Sequence, residues 1–598
     1  MKKHHHVSVS VAAILFAMTS LIFAQPAEIV WSRAYGGYSH DYCHSVLETP
    51  DRGLILAGQS SSTGTSTDDF LILKTNACGD SMWSRWYGGY GEDICYDVER
   101  TSDGGFIMAG SSSSYAVGGR DFWMVKTDSL GNSQWSNNYG GSADDICRSV
   151  VQTEDGGYIM AGYSWSFSGG GVTDVWVVRT NPDGGALWNR VLGGLNSDAC
   201  NSIQRTFDGN YILAGYYADI PGDYDYYLIK MDTFLDTLWT RRYGGLNPQL
   251  CYSVIQTSDS GYAMVGTGFN GIWLLKTNAN GDSLWSRIYG GLYADWGYSV
   301  QETSDGGYIL AGTTESFGAG SNDFWLIKTD ANGDSLWSST YGGVGDDFCL
   351  SAILTSDGGY ALAGRSYWAP NAYQFWVVKA DIGSPKIISI MDVGNDQGRQ
   401  ARVRWRRSAH DECLGGSITI DNYSIYRRID QYLDLDDHRP FFSGLDWPPG
   451  EWDFIVNVPA GGEEQYSAVV PTLADSSSEG IYWSVFFVRA HTSNPLVHYD
   501  SEPDSGYSID NLPPDMTRVV AMLRTSPTGV LLQWDEVNTG GGGQPEQGGV
   551  WYRIYGSIDP NFAPAPGNLL TVTHDLEYLH NIGIYDKFFY KILVSDDH

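Results

Sequence analysis

Six aspartates recur at one position of a repeated sequence: Asp41, Asp93, Asp145, Asp198, Asp295 and Asp347, with Gln249 in the copy that lacks one. Carboxylates gathered at one end of a fold could coordinate calcium, which takes six to eight oxygens drawn largely from Asp and Glu. They could also supply the paired acids of a glycosidase or lyase. The third reading is structural: each aspartate accepts backbone N–H groups in its own turn. The fixed spacing of six residues from the second glycine of Y-G-G to the position two after the aspartate favours it. Like charges held close together are costly unless they are paired, protonated or occupied by a cation.

Two residues beyond each aspartate stand Cys43, Cys95, Cys147, Cys200, Cys251 and Cys349, with Gly297 in the remaining copy. An even cysteine set in an exported chain would ordinarily suggest disulfides. Equivalent positions on neighbouring packed sheets lie about 10 Å apart, whereas a disulfide needs Cα atoms within about 7 Å. Buried free thiols that act as small apolar packing residues are therefore expected. The repeat holds only two histidines, His40 and His44, which leaves no basis for a histidine zinc site or a Ser-His-Asp triad.

Copies differ most in one loop, 12 residues long in most copies but only six between Gly266 and Trp273. It carries Tyr115, Trp165, Tyr217 and Trp368 among other aromatics. Exposed aromatics beside carboxylates suit a sugar or peptide ligand, while capping of sheet edges is the alternative. These four aromatics and the six aspartates are the expected ligand-binding residues.

The elements that would position them follow from the period. Trp31, Trp83, Trp135, Trp188, Trp239, Trp285 and Trp337 open copies spaced 46 to 53 residues apart, a period of propellers rather than helical solenoids. In residues 297–343 four strand-like runs appear: Ser299–Thr303, Tyr308–Thr313, Phe324–Thr329 and Ser335–Tyr341. Asp-Gly and Asn-Gly at the joints are hairpin chemistry. Two-residue parity puts Trp325 and Ile327 on one face and Leu326 and Lys328 on the other. The fold class expected is all-β, a seven-bladed β-propeller over residues 27–383. Because the last copy lacks its tryptophan strand, residues 31–35 are predicted to pair with 375–380 and close the seventh blade.

Lys328 to Trp337 resembles the hairpin of quinoprotein propeller repeats, and the double glycines resemble kelch and WD40-like repeats. As a whole the chain resembles exported bacterial propellers that carry fibronectin-like modules. The resemblance implies an extracellular or surface protein and brings no assigned substrate. Residues 516–598 resemble a fibronectin type III domain, with Leu531–Trp534, Tyr552–Tyr555 and Phe588–Ile592 as strands and Trp534 as core tryptophan. The run Gly540–Gly543 is an unusual loop for that family. Residues 384–512 show the same order more loosely, so two Ig/fibronectin-like β-sandwiches are expected, at 384–512 and 513–598.

Residues 1–24 read as a signal peptide, with Lys2 and Lys3 before an apolar run ending at Ala24. The expected location is exported: extracellular, cell-surface or periplasmic. No later run offers the ~18 apolar residues of a membrane span. With 70 acidic against 36 basic residues and a formal charge of −34, nucleic acid and anionic membranes are excluded as partners. The expected function is a non-enzymatic, monomeric binding or adhesion protein for an extracellular glycan or protein ligand. A carbohydrate-active enzyme and a purely structural surface component are the alternatives. No cofactor is called for, and calcium on the aspartates is retained as a possibility.

Overall fold

A computed structural model describes residues 26–598 except 63–66, 170, 246, 369–371, 382, 394–398, 412–418, 430–450, 475, 477–481, 495–496, 502, 509–518, 525–528, 535–550, 558–565, 574, 576, 582–588 and 596–598. The expected signal peptide at 1–24, the Gly540–Gly543 loop and the side chains of Trp368 and Trp534 lie outside the described ones. The chain divides into two compact units, one ending at residue 382 and the other beginning at 383.

The first unit is built from repeated four-stranded antiparallel sheets, a β-propeller architecture, and among the described residues seven such sheets are present. The sixth is typical: Asp295–Glu302 innermost, then Tyr308–Thr314, Asp323–Thr329 and Ser335–Tyr341 outermost. Both faces of its third strand are apolar because each packs on a neighbouring sheet. Trp325 and Ile327 join Val265, Ile272 and Leu274 of the preceding sheet. Phe324 and Leu326 join Cys349, Leu362 and Trp376 of the following one. Each innermost strand touches the next, and Asp347–Leu354 returns to Asp41–Glu48. There Val46 N–H donates to Ser351 Oγ at 3.4 Å.

The strand Glu28–Tyr35 lies antiparallel on Ala372–Asp381, with Trp31 opposite Lys379 and Tyr35 opposite Phe375. It is thus the outermost strand of the sheet formed by Asp347–Leu354, Tyr360–Trp368 and Ala372–Asp381.

Two recurrent devices tie the sheets together. The opening tryptophan and the Y-G-G tyrosine of one sheet grip a hairpin glycine of the next. Gly333 has φ +78°, a Cβ there would stand 2.6 Å from the Trp285 ring, and Tyr289 OH donates to Gly333 O at 2.5 Å. Within each sheet, the aspartate of T-x-D-G-G receives a buried cation from the third strand. Lys328 Nζ meets Asp305 at 2.8 Å while Gly307 N–H donates to the same carboxylate at 3.0 Å. All seven sheets repeat the ion pair, Arg179 replacing lysine in the third.

In the second unit, a sheet of Lys386–Asp392, Gln400–Arg406 and Gln465–Pro471 shares one core with a sheet built on Ile420–Arg428 and Ser484–Thr492. Trp405, Tyr423, Val470, Phe486 and Val488 form that core. Further on, Gly529–Trp534 and Trp551–Ser557 belong to two three-stranded sheets joined by Leu532, Tyr552 and Ile554.

Candidate binding site in the propeller channel

Every innermost strand carries a bulge immediately after the cysteine position. In the first sheet Cys43 faces Gly58 and Ser45 faces Ala57, so His44 has no opposite number. The same skip isolates Tyr96, Arg148, Asn201, Tyr252, Tyr298 and Leu350. A bulge re-aims its extra side chain. The cysteines turn into the packed interface and are buried and free, whereas all seven bulge residues keep part of their surface accessible. The innermost strand has a hydrogen-bonded neighbour on one side only, so this accessible surface faces the central channel.

The bulge residues touch one another around the wall. His44 and Tyr96 rings lie 5.2 Å apart, the Arg148 guanidinium is 4.2 Å from the Tyr96 ring centre, and Tyr252 meets Tyr298 at 4.9 Å. Arg148 Nη2 donates to Tyr163 OH at 3.3 Å. Nearer the loops, the Arg365 guanidinium lies 4.4, 4.6 and 4.8 Å from the rings of Phe348, Tyr42 and Tyr373. His44 Nε2 and Gln59 Oε1 are 3.2 Å apart. Burial, with Arg148 and Arg365 adding to it, pushes the His44 pKa down to about 4. Burial raises the Tyr96 and Tyr252 hydroxyls. The charged groups among the bulge residues and Arg365 are therefore the two guanidiniums, while Asp97, beside Tyr96 on the same strand, is held by Ser45 Oγ at 3.2 Å, Ser149 Oγ at 2.9 Å and Val150 N–H at 3.0 Å.

The six repeated aspartates stand at the head of the innermost strands and are buried, at most 3% exposed. Each accepts the N–H of the second glycine of Y-G-G: Gly37, Gly89, Gly141, Gly194, Gly291 and Gly343, at 2.7–3.0 Å. Gln249 Oε1 does the same for Gly245 at 3.1 Å. A second aspartate, opening the third strand of the preceding sheet, faces several of them across the first glycine. A Cβ on Gly193 would lie 1.9 Å from Asp174 Oδ1 and 2.7 Å from Asp198 Oδ2. Asp69 with Asp93 and Asp323 with Asp347 enclose Gly88 and Gly342 in the same way. Burial, reinforced by Asp174, lifts the Asp198 pKa to about 6. Among the described residues no three His, Cys, Asp or Glu side chains stand together as metal ligands.

Of the aromatics, Tyr115 packs on Trp123 at 5.2 Å and its hydroxyl donates to Gly88 O at 2.7 Å. Tyr217 packs on Tyr227 at 5.2 Å and is covered by Arg242, 3.6 Å from its ring centre. Trp165 is 38% exposed and meets Tyr163 edge-on at 5.4 Å, which links it to the channel wall. Trp368 ends the strand Tyr360–Trp368 opposite Ala372.

Sequence reasoning passed over Tyr96, Arg148 and Arg365, and it weighed His44 only as a zinc or triad histidine. The signal lay in the columns: between the constant cysteine and the position that is serine in six copies, the residue reads His, Tyr, Arg, Asn, Tyr, Tyr, Leu.

No protein-family model and no curated protein matches the chain in sequence. Solved structures align with part of it. The WD40 domain of Neurospora crassa Pan2 aligns with 59% of this chain and 96% of its own at 10% identity and a TM-score of 0.38. Puromycin hydrolase aligns with 64% of this chain and 62% of its own, at 11% identity and a TM-score of 0.40. BBS1N, solved in complex with ARL6DN, aligns with 60% and 97%, at 9% identity and a TM-score of 0.36.

Proposed function

We propose that this chain is an exported, monomeric, non-enzymatic binding protein: a seven-bladed propeller that takes an extracellular glycan or protein ligand, with two fibronectin-like sandwiches as spacers. The observation that carries it is the segregation of variable from constant positions. The seven bulge residues, changing in type from sheet to sheet, line one channel. The turns, tryptophans and ion pairs around them repeat almost unchanged. Repeat scaffolds present ligands with what differs between copies.

The enzymatic alternative needs two carboxylates on a substrate, one raised in pKa as the acid. The rim aspartates are engaged by backbone N–H groups beneath the Y-G-G turns, which favours binding over turnover. Binding of the full chain to a glycan and extracellular-protein array, run beside a hydrolysis assay on every glycan bound, tests the reading. Saturable binding without product supports it; product release overturns it in favour of the enzyme.

A further inference from the structure

Arg148 and Arg365 are the anomaly of the channel. In a chain with almost twice as many acidic as basic residues, neither meets a carboxylate within ion-pair distance among the described residues. Other arginines of the same rim are paired: Arg120 takes Glu92 and Asp144 at 3.2 and 3.3 Å, and Arg242 takes Asp219 at 2.7 Å. The Nε atoms of Arg148 and Arg365 are also buried without a hydrogen-bond partner. A guanidinium does not lose its proton, and an enclosed charge without a counter-charge is costly. Stacking on aromatic faces offsets only part of that cost.

Arg365 of the last sheet lies directly against the innermost strand of the first, and Arg148 of the third sheet reaches the same strand through Tyr96 of the second. Arg365 rests on Tyr42; Arg148 rests on Tyr96, which packs on His44. Nearby acids are otherwise engaged: Asp68 accepts from Gln59 at 2.7 Å and Asp346 from Asn322 at 2.9 Å. What the wall lacks is an anion that also suits aromatic faces and neutral hydroxyls.

We propose that the channel binds a carboxylate-bearing sugar, its carboxylate held by Arg148 and Arg365 and its ring against the tyrosines. This inference rests on the binding reading above and narrows it to an acidic glycan. The guanidinium fork matches a carboxylate bidentately, while Tyr252 and Tyr298 offer faces for the sugar ring. His44, neutral at physiological pH, is left as a donor or acceptor for a sugar hydroxyl.

The test is calorimetric titration of the full chain with a glucuronate oligosaccharide, a neutral glucose oligosaccharide of equal length, and an acidic peptide. Saturable binding of the glucuronate oligomer alone is expected, weakened at least tenfold by Arg148→Gln and by Arg365→Gln and partly restored by Arg365→Lys. The melting temperature of each variant shows whether it has folded. Equal binding of the neutral sugar, or unchanged acidic binding in the folded double variant, overturns the inference and leaves the binding reading standing. Binding of the peptide instead of the sugar also overturns it. Failure of all three overturns the inference, and the binding reading falls with it only if the array is empty too.

Discussion

Asp198 shows what one side chain does when the repeat forces two acids together. Its carboxylate and that of Asp174 approach the same point over Gly193, and Asp174 Oδ1 is buried without a partner. A proton shared between them relieves the repulsion. In the copy that lacks the aspartate, Gln249 puts an uncharged Oε1 beside Asp225 at Gly244, so no second carboxylate is present there. With a folded pKa of about 6 against 3.8 for the free group, the stabilisation is full below pH 3.8 and is lost as pH rises through 6. Asp198→Asn removes this pH dependence, so its stability relative to the wild type should rise between pH 4 and pH 7. Near pH 4 it lies below the wild type, because both carboxylate oxygens accept backbone N–H groups, from Gly194 and Ala218, and an amide nitrogen cannot replace one of them. Thermal melts from pH 4 to 7, with and without a chelator, check this. A difference between variant and wild type that does not move with pH, or a wild type that loses stability to the chelator, would sink the shared proton.

The hairpin of T-x-D-G-G is the element on which the repeat leans most evenly. In the sixth sheet Lys328 is buried, 9% exposed, while its partner Asp305 is 58% exposed. Removing the acid leaves a buried cation, whereas removing the cation leaves an acid in water. Asp305→Asn should then cost about 1–3 kcal/mol, and Lys328→Met distinctly less, read from urea midpoints; the reverse order would refute the asymmetry. Against burial, which raises it, hydrogen bonds from Lys328, Thr303 and Gly307 together with the Lys328 charge hold the Asp305 pKa at about 2. This contribution is present above pH 3.8 and is lost as pH falls through 2. Elements of this kind were legible in the sequence because their chemistry is local and recurs: Asp-Gly turns, the Y-G-G tyrosine, the alternation in Trp325–Lys328. Arg148 was not legible, because the bulge after Cys147 breaks the two-residue parity that would have assigned it a face. Nor could the sequence show that Asp174, 24 residues upstream, faces Asp198 across Gly193, since that contact exists only once two sheets are stacked.

At the scale of the propeller, cooperation between sheets depends on where the chain ends meet. Six sheets are formed each from one continuous stretch, but the last takes its outermost strand from Glu28–Tyr35, more than 300 residues away in sequence. Trp31 makes that junction twice over. It lies in the ladder opposite Lys379, its indole N–H donates to Ala77 O of the first sheet at 3.1 Å, and its ring covers Gly79. From the other side, Tyr341 OH donates to Ala27 O at 2.9 Å. Trp31→Ala therefore removes a buried ring, 4% exposed, and loosens both contacts of the closing strand. The cost expected is about 3–5 kcal/mol, which at roughly 2–4 °C per kcal/mol lowers the propeller's melting temperature by about 6–20 °C. Trp135→Ala removes the equivalent ring, partly buried, inside a continuous stretch and should lose somewhat less, by packing alone. Only Trp31→Ala should also release the strand at 28–35 to hydrogen exchange and expose Ala372–Asp381 as an open edge, a template for association between chains. Exchange rates over residues 372–381 that match in the two variants would mean that the ring is held shut by something other than this strand.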